Sequence, residues 1–233
     1  MCGRYTFQHA EALRQLIESL TGESYDDYIA RYNVAPTQDN PVVAPEPAGR
    51  PRRRTMRWGL VPASDPAVKP RLIHVNARSE EILGKRTFKE AVQLRRCVVP
   101  ADGYYEWKRP DERTKLPYLI SLHARRPFFI AGIYEEATAL RPETYALLTC
   151  GPNRLMAEIH DRMPVILDEP GLARWLQPGP IGPAEMSSIC VPYDDAAMQA
   201  WPVSAIVNSA RHEVPECVVP VAPHVDPQGS FGF

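Results

Sequence analysis

The sequence predicts an α+β fold in which strongly curved, mainly antiparallel β-sheets form a barrel-like core flanked by short helices. Three observations predict it. Nine short apolar or alternating runs read as strands, at 3–7, 41–45, 54–58, 96–99, 103–108, 117–122, 127–133, 144–149 and 163–167. Twenty-five prolines are scattered along the chain and break it into short strands and turns. Helical spacing is confined to a few stretches, and strands interspersed with short helices favour an α+β arrangement.

Taken in order, the first run opens the chain and is followed by a helix marked by Leu13, Leu16, Ile17 and Leu20. The run 103–108 alternates, which puts Tyr104, Glu106 and Lys108 on one face and Tyr105 and Trp107 on the other. Two further helical segments follow, at 153–158 and 171–176, and Asn153, just after Gly151-Pro152, is placed to cap the first of them. No Gly-rich loop joins a strand to a helix, which argues against a dinucleotide fold. Residues 1–222 read as one domain and 223–233 as a flexible C-terminal tail.

At 233 residues the chain can bury a sufficient core without disulfides or metal. Its five cysteines form no CxxC pair, so neither a disulfide framework nor a zinc site is expected, and Cys97, Cys150, Cys190 and Cys217 read as small buried hydrophobes. The N-terminus lacks an apolar signal core, and no run approaches the ~18 apolar residues of a membrane span. A cytoplasmic protein is expected, nucleoid-associated in a bacterium, without membrane contact. The net charge of −1 hides an asymmetry. Residues 1–130 carry 22 Lys+Arg against 15 Asp+Glu (+7), and residues 131–233 carry 5 against 13 (−8). The densest basic run, Arg50, Arg52, Arg53, Arg54 and Arg57, suits either phosphate contact or a solvated strand edge.

Chemistry begins at Cys2. Removal of Met1, normal before so small a residue, makes Cys2 a 1,2-aminothiol whose amine, with an ordinary pKa near 7.7–8.0, is partly neutral at physiological pH. Such an amine attacks an aldehyde to form a Schiff base, and the neighbouring thiol can close a thiazolidine ring. Retained Met1 would block this. The same residue suits an N-terminal nucleophile hydrolase, and class II glutamine amidotransferases also begin Met-Cys-Gly. Asn76 can orient an amine or a sugar hydroxyl, and Arg78 can hold a phosphate. Glu106, among aromatic rings, suits a general acid or base, with a structural ion pair to Lys108 or Arg109 as the competing reading. His160 suits proton exchange near neutrality.

Seven segments in this order resemble the SOS response-associated peptidase (SRAP) family, the abasic-site processing proteins. They are Met1-Cys2-Gly3-Arg4-Tyr5, Arg31-Tyr32-Asn33-Val34-Ala35-Pro36-Thr37, Arg57-Trp58-Gly59-Leu60-Val61-Pro62 and Asn76-Ala77-Arg78-Ser79-Glu80. Asp102-Gly103-Tyr104-Tyr105-Glu106-Trp107, Ile159-His160-Asp161-Arg162-Met163-Pro164 and Pro202-Val203-Ser204 with Val207-Asn208 complete the set. The resemblance implies a single, cofactor-free and metal-free domain, expected to be monomeric, that binds single-stranded DNA carrying abasic sites. By the same resemblance, Cys2 would form the crosslink, Asn76 would position its amine and the opened sugar, Glu106 would act as general acid/base, and His160 would assist proton transfer in β-elimination or crosslink reversal. Arg4 and Arg78 would hold phosphates, and Pro36 and Arg162 would also contact DNA. The sequence departs from the family in one stretch. Where many members carry tryptophans after the Trp-Gly motif, Ala63-Ser64-Asp65-Pro66 has no aromatic to stack on a base. Two other readings stay open: a Cys2-dependent peptidase or amidase, including removal of its own Met1, and a non-enzymatic single-stranded DNA binder.

Overall fold

Pairing between apolar runs, rather than helix packing, organises this chain. The computed structural model describes residues 2–26, 28–47, 49–63 and 72–222. Met1, the aromatic-free positions 64–66 and the expected tail 223–233 lie outside these residues. The strands among them are, in chain order, β1 (Arg4–Phe7), β2 (Arg31–Val34), β3 (Asp39–Ala44), β4 (Arg52–Trp58), β5 (Asn76–Arg78), β6 (Arg96–Ala101) and β7 (Gly103–Lys108). They continue with β8 (Leu116–Leu122), β9 (Phe128–Glu135), β10 (Thr144–Cys150), β11 (Met163–Pro164), β12 (Ile166–Leu167) and β13 (Met198–Pro202). The α-helices are short: α1 (Ala10–Thr21), α2 (Lys89–Leu94), α3 (Arg154–Ala157), α4 (Glu169–Trp175) and α5 (Pro183–Ile189).

One sheet runs β13-β8-β7-β1-β2, antiparallel throughout. In the other, the pairings β10–β4, β4–β3, β3–β6, β6–β9 and β9–β10 close a ring, with β5, β11 and β12 attached to its members. That closure is the barrel-like core, and it leaves few exposed sheet edges. Among the described residues only β10–β4 and β10–β5 are parallel. Central strands in such a ring are covered on both faces, so β9 (sequence FFIAGIYE) is buried at every position.

The main core gathers Val42, Met56, Val98, Ile130 and Leu147 with α1's Leu13 and Ile17. A smaller cluster of Tyr105, Leu119, Val203, Val207, Cys217 and Val218 covers the other face of β7 and β8. The alternation expected of β7 is therefore present, with Tyr104 in the main core and Tyr105 in the smaller one. Trp58 is fully buried, donates through Nε1 to the Val75 carbonyl at 2.9 Å and stacks on Tyr145, so it belongs to the core and has no face for a base.

Helix α1 ends where Gly22 adopts φ 73° and its N–H caps Glu18 O, a left-handed turn that glycine makes without strain. Asn153 caps α3 by accepting from Met156 N. The sequence reading omitted β2, β5, β13, α2 and α5. Strands β2 and β5 are only four and three residues long, and β13 has a largely half-buried face without clear alternation. Cys97, Cys150 and Cys217 are buried as expected, whereas Cys190, at the end of α5, is only half-buried. Among the described residues no helix is long and apolar enough to cross a membrane.

Candidate active site

The β1–β7 ladder places the N-terminus. Arg4 pairs with Tyr105, Tyr5 with Tyr104 and Thr6 with Gly103, so the residues before Arg4 extend towards Glu106. The close approach requires Gly103, where a Cβ would fall 2.8 Å from Thr6 Oγ1 and 3.0 Å from Leu119 Cδ1. Cys2 is buried, and its thiol points at the Arg4 carbonyl oxygen 3.8 Å away. Burial, reinforced by the nearby Glu106 charge, pushes this thiol well above its ordinary value.

Strand β5 is held by β10, with Asn76 opposite Leu147. This register brings Asn76 to Cys2, and its Nδ2 donates to the Cys2 carbonyl oxygen at 2.7 Å. The Oδ1 of the same amide is buried with no partner among the described residues. As an amide oxygen it can only accept.

Glu106, on β7, is 1% exposed, and burial pushes its carboxyl up to about 7. His160 follows α3, anchored through its N–H to the Met156 carbonyl at 2.7 Å. The backbone N–H of Arg162 donates to His160 Nδ1 at 3.0 Å. Nε2 lies 3.8 Å from Glu106 Oε2. Burial lowers the imidazole pKa against the pull of Asp161, whose Oδ1 is 2.9 Å from Nδ1. The site therefore pairs an imidazole whose charged form burial disfavours with a carboxyl that is close to half-protonated near neutral pH.

Glu106 and His160 share the wall of a cavity of about 460 Å³ with Trp107, Arg109, Lys115 and Asn208. Trp107 Nε1 donates to Asn208 Oδ1 at 2.7 Å, which fixes the indole at the rim. Cys2 is buried and is not part of this wall. Among the described residues no group of three or more His, Cys, Asp or Glu side chains is placed to hold a metal ion.

The family model for SOS response associated peptidase (SRAP) matches residues 1–210. The chain belongs to the SRAP family. An SRAP relative, the abasic site processing protein YoqW of Bacillus subtilis, is 38% identical and covers 94% of this chain and 99% of its own. The rat abasic site processing protein HMCES is 33% identical over 84% of this chain and 66% of its own. A crystal structure of a Bacteroides thetaiotaomicron protein superposes with a TM-score of 0.78 at 26% identity, covering 95% of this chain and all of the other.

The other SRAP motif residues occupy varied surroundings. Arg78 is half-exposed, with a 3.5 Å contact to Glu81. Arg4 donates to Asn33 Oδ1 (2.7 Å), Val207 O (2.6 Å) and Asn208 O (3.2 Å), tying β1 to the segment after β13. Arg162 grips Glu80 with two bonds of 2.8 Å and also donates to Thr149 O at 2.7 Å. Pro36 is half-buried in the turn after β2, beside Thr37 at φ 73°. The basic run on β4 is largely ion-paired: Arg52 to Glu23, Arg54 to Glu46 and Glu143, and Arg57 to Asp39. Arg53 lies over the Tyr25 ring, 4.1 Å from its centroid. Lys115 escaped the sequence reading. Its signal is the short 109–115 loop between two strands, a hairpin in which Lys108 pairs with Leu116 and returns Lys115 to the Arg109 side.

Proposed function

We propose that this SRAP protein processes abasic sites in single-stranded DNA by capturing the sugar aldehyde covalently on Cys2. The observation that carries the reading is the Asn76 amide held 2.7 Å from the Cys2 carbonyl, on a chain that the β1–β7 ladder runs towards Glu106, which walls a cavity with His160. The names of the relatives support the same activity.

An abasic sugar is mostly a closed hemiacetal. Protonated Glu106 donates to the ring oxygen as the sugar opens, and its carboxylate takes the proton back in the next step. The Cys2 amine, freed by loss of Met1, adds to C1′, and expulsion of water gives an imine. The thiol then adds across C=N, forming the S–C bond and passing its proton to nitrogen, which closes the thiazolidine. Asn76 orients the amine and the opened sugar. His160 moves protons on the return path and in β-elimination, where loss of a C2′ proton from the imine expels the 3′ phosphate. Arg78 contacts a flanking phosphate, while Arg4, Pro36 and Arg162 shape the strand's path.

A peptidase reading needs a thiolate at Cys2. Burial of that thiol disfavours the thiolate, whereas aldehyde capture starts with the amine. The test is a denaturing gel of Met1-free protein incubated with an abasic strand. A retarded band that disappears in Cys2→Ala and in Met1-retaining protein supports the proposal, and an equal band from Cys2→Ala refutes it.

A further inference from the structure

A second cavity, of about 650 Å³, opens at the opposite end of β8 from the candidate active site. Lys115, in the first cavity's wall, precedes β8, and His123, in the second, follows it. Seven strand residues separate them, roughly 20 Å at the usual rise per residue. The second cavity's wall carries His9, His123, Arg125 and Arg126 and no carboxylate.

The two arginines are held by neutral partners. Arg125 lies over Trp201, 5.4 Å from the ring centroid, and Arg126 reaches only the Tyr193 hydroxyl at 3.4 Å. Among the described residues neither arginine has an acidic partner. The buried Nε2 of His9 has no hydrogen-bond partner there either. His9 is also the N-cap of the twelve-residue α1 and makes no side-chain capping bond, while Ala12 of the first turn lines the cavity. At that end of the helix the backbone N–H groups of Gln8 and His9 donate to the buried Asp102 carboxylate at 2.8 and 2.7 Å, so the cavity's positive charge comes from the two arginines and not from the helix. Ala124 and Arg125 are both left-handed, at φ 55° and 50°, a conformation that no glycine relieves here.

We propose that this cavity binds a phosphate group, and that in the working protein the phosphate belongs to the backbone of the single strand held at the active site. The choice of strand backbone rests on the proposed function; phosphate recognition does not. The arginines can grip phosphate oxygens bidentately, and Trp201 under Arg125 holds one guanidinium in place.

The experiment compares wild-type protein with the double variants Arg125→Ser/Arg126→Ser and Arg125→Lys/Arg126→Lys, all in a Cys2→Ala background so that no crosslink forms. Fluorescence anisotropy with an unmodified labelled strand and calorimetry with inorganic phosphate give the affinities, and thermal melting checks the fold. The serine variant should bind the strand about five- to tenfold more weakly, with a salt slope lower by about 1–2, and the lysine variant, which keeps the charge but not the bidentate fork, should keep the parent's salt slope and recover part of the affinity. Phosphate binding lost in the serine variant with unchanged strand affinity assigns the site to free phosphate and overturns the backbone assignment. Unchanged affinity for both probes in a folded serine variant overturns the proposal altogether. Failure of wild-type protein to crosslink abasic DNA would refute the proposed function and leave these affinity differences standing.

Discussion

Asn76 donates its Nδ2 hydrogen to the carbonyl oxygen of Cys2 at 2.7 Å, a contact between residues 74 positions apart. The bond fixes the residue whose amine captures the aldehyde in the proposed reaction, and the Oδ1 of the same amide is buried with no partner among the described residues. Replacing Asn76 by Ala removes both. A neutral hydrogen bond is worth about 0.5–1.5 kcal/mol, so crosslinking should slow roughly 2- to 12-fold from this loss alone, and further if Oδ1 holds the opened sugar. Rates from quenched time courses and strand affinity measured separately check it: the rate falls while the affinity is unchanged.

Glu106 predicts two pH effects. With its carboxyl near 7, general-acid help is present below that pH and fades above it. Single-turnover crosslinking by Glu106→Gln should therefore lack the inflection near pH 7 that wild-type protein shows. The folded value lies above the unfolded value of 4.5, so burial of the neutral acid adds stability below 4.5, and that contribution is lost as pH rises through about 7. That difference corresponds to about 3 kcal/mol. Urea melts should show Glu106→Gln gaining on wild type by an amount of that order between pH 4 and pH 8.

His160 should matter more for the return path than for binding. His160→Ala is expected to slow crosslink reversal by about 100-fold, within the range for general acid–base catalysis, and to leave strand affinity unaltered. Transfer of preformed crosslink to a competitor aldehyde measures it.

Arg162 separates a structural role from a DNA role. Its guanidinium is largely buried, paired twice with Glu80 and bonded to Thr149. Arg162→Ala should lower stability by about 1–3 kcal/mol, readable as a fall in urea midpoint. An unchanged midpoint with weakened strand binding would instead give Arg162 to the phosphate backbone.

Much of this fold was legible because burial leaves a period in the sequence. The run 103–108 alternates and forms β7, and the unbroken apolar stretch within 127–133 lies in β9, buried on both faces. Asn76-Ala77-Arg78 carries no such period. It is a strand only because β10 accepts it in parallel register, a long-range pairing that three residues cannot announce. The site divides the same way. Residue types suited to aldehyde capture are visible at positions 2, 76, 106 and 160. Their relative placement depends on the β1–β7 and β5–β10 ladders, and the partners of Arg4 and Arg162 depend on segments far along the chain.

The central claim is that Cys2 itself becomes covalently joined to the sugar through both nitrogen and sulfur. Intact mass spectrometry of Met1-free protein with an abasic strand, followed by fragmentation, tests it most directly. The account predicts a species equal to protein plus strand less one water, modified at residue 2 and unchanged by borohydride because no imine remains. An adduct located on a lysine, one reduced quantitatively by borohydride, or one formed equally by Cys2→Ala would contradict it.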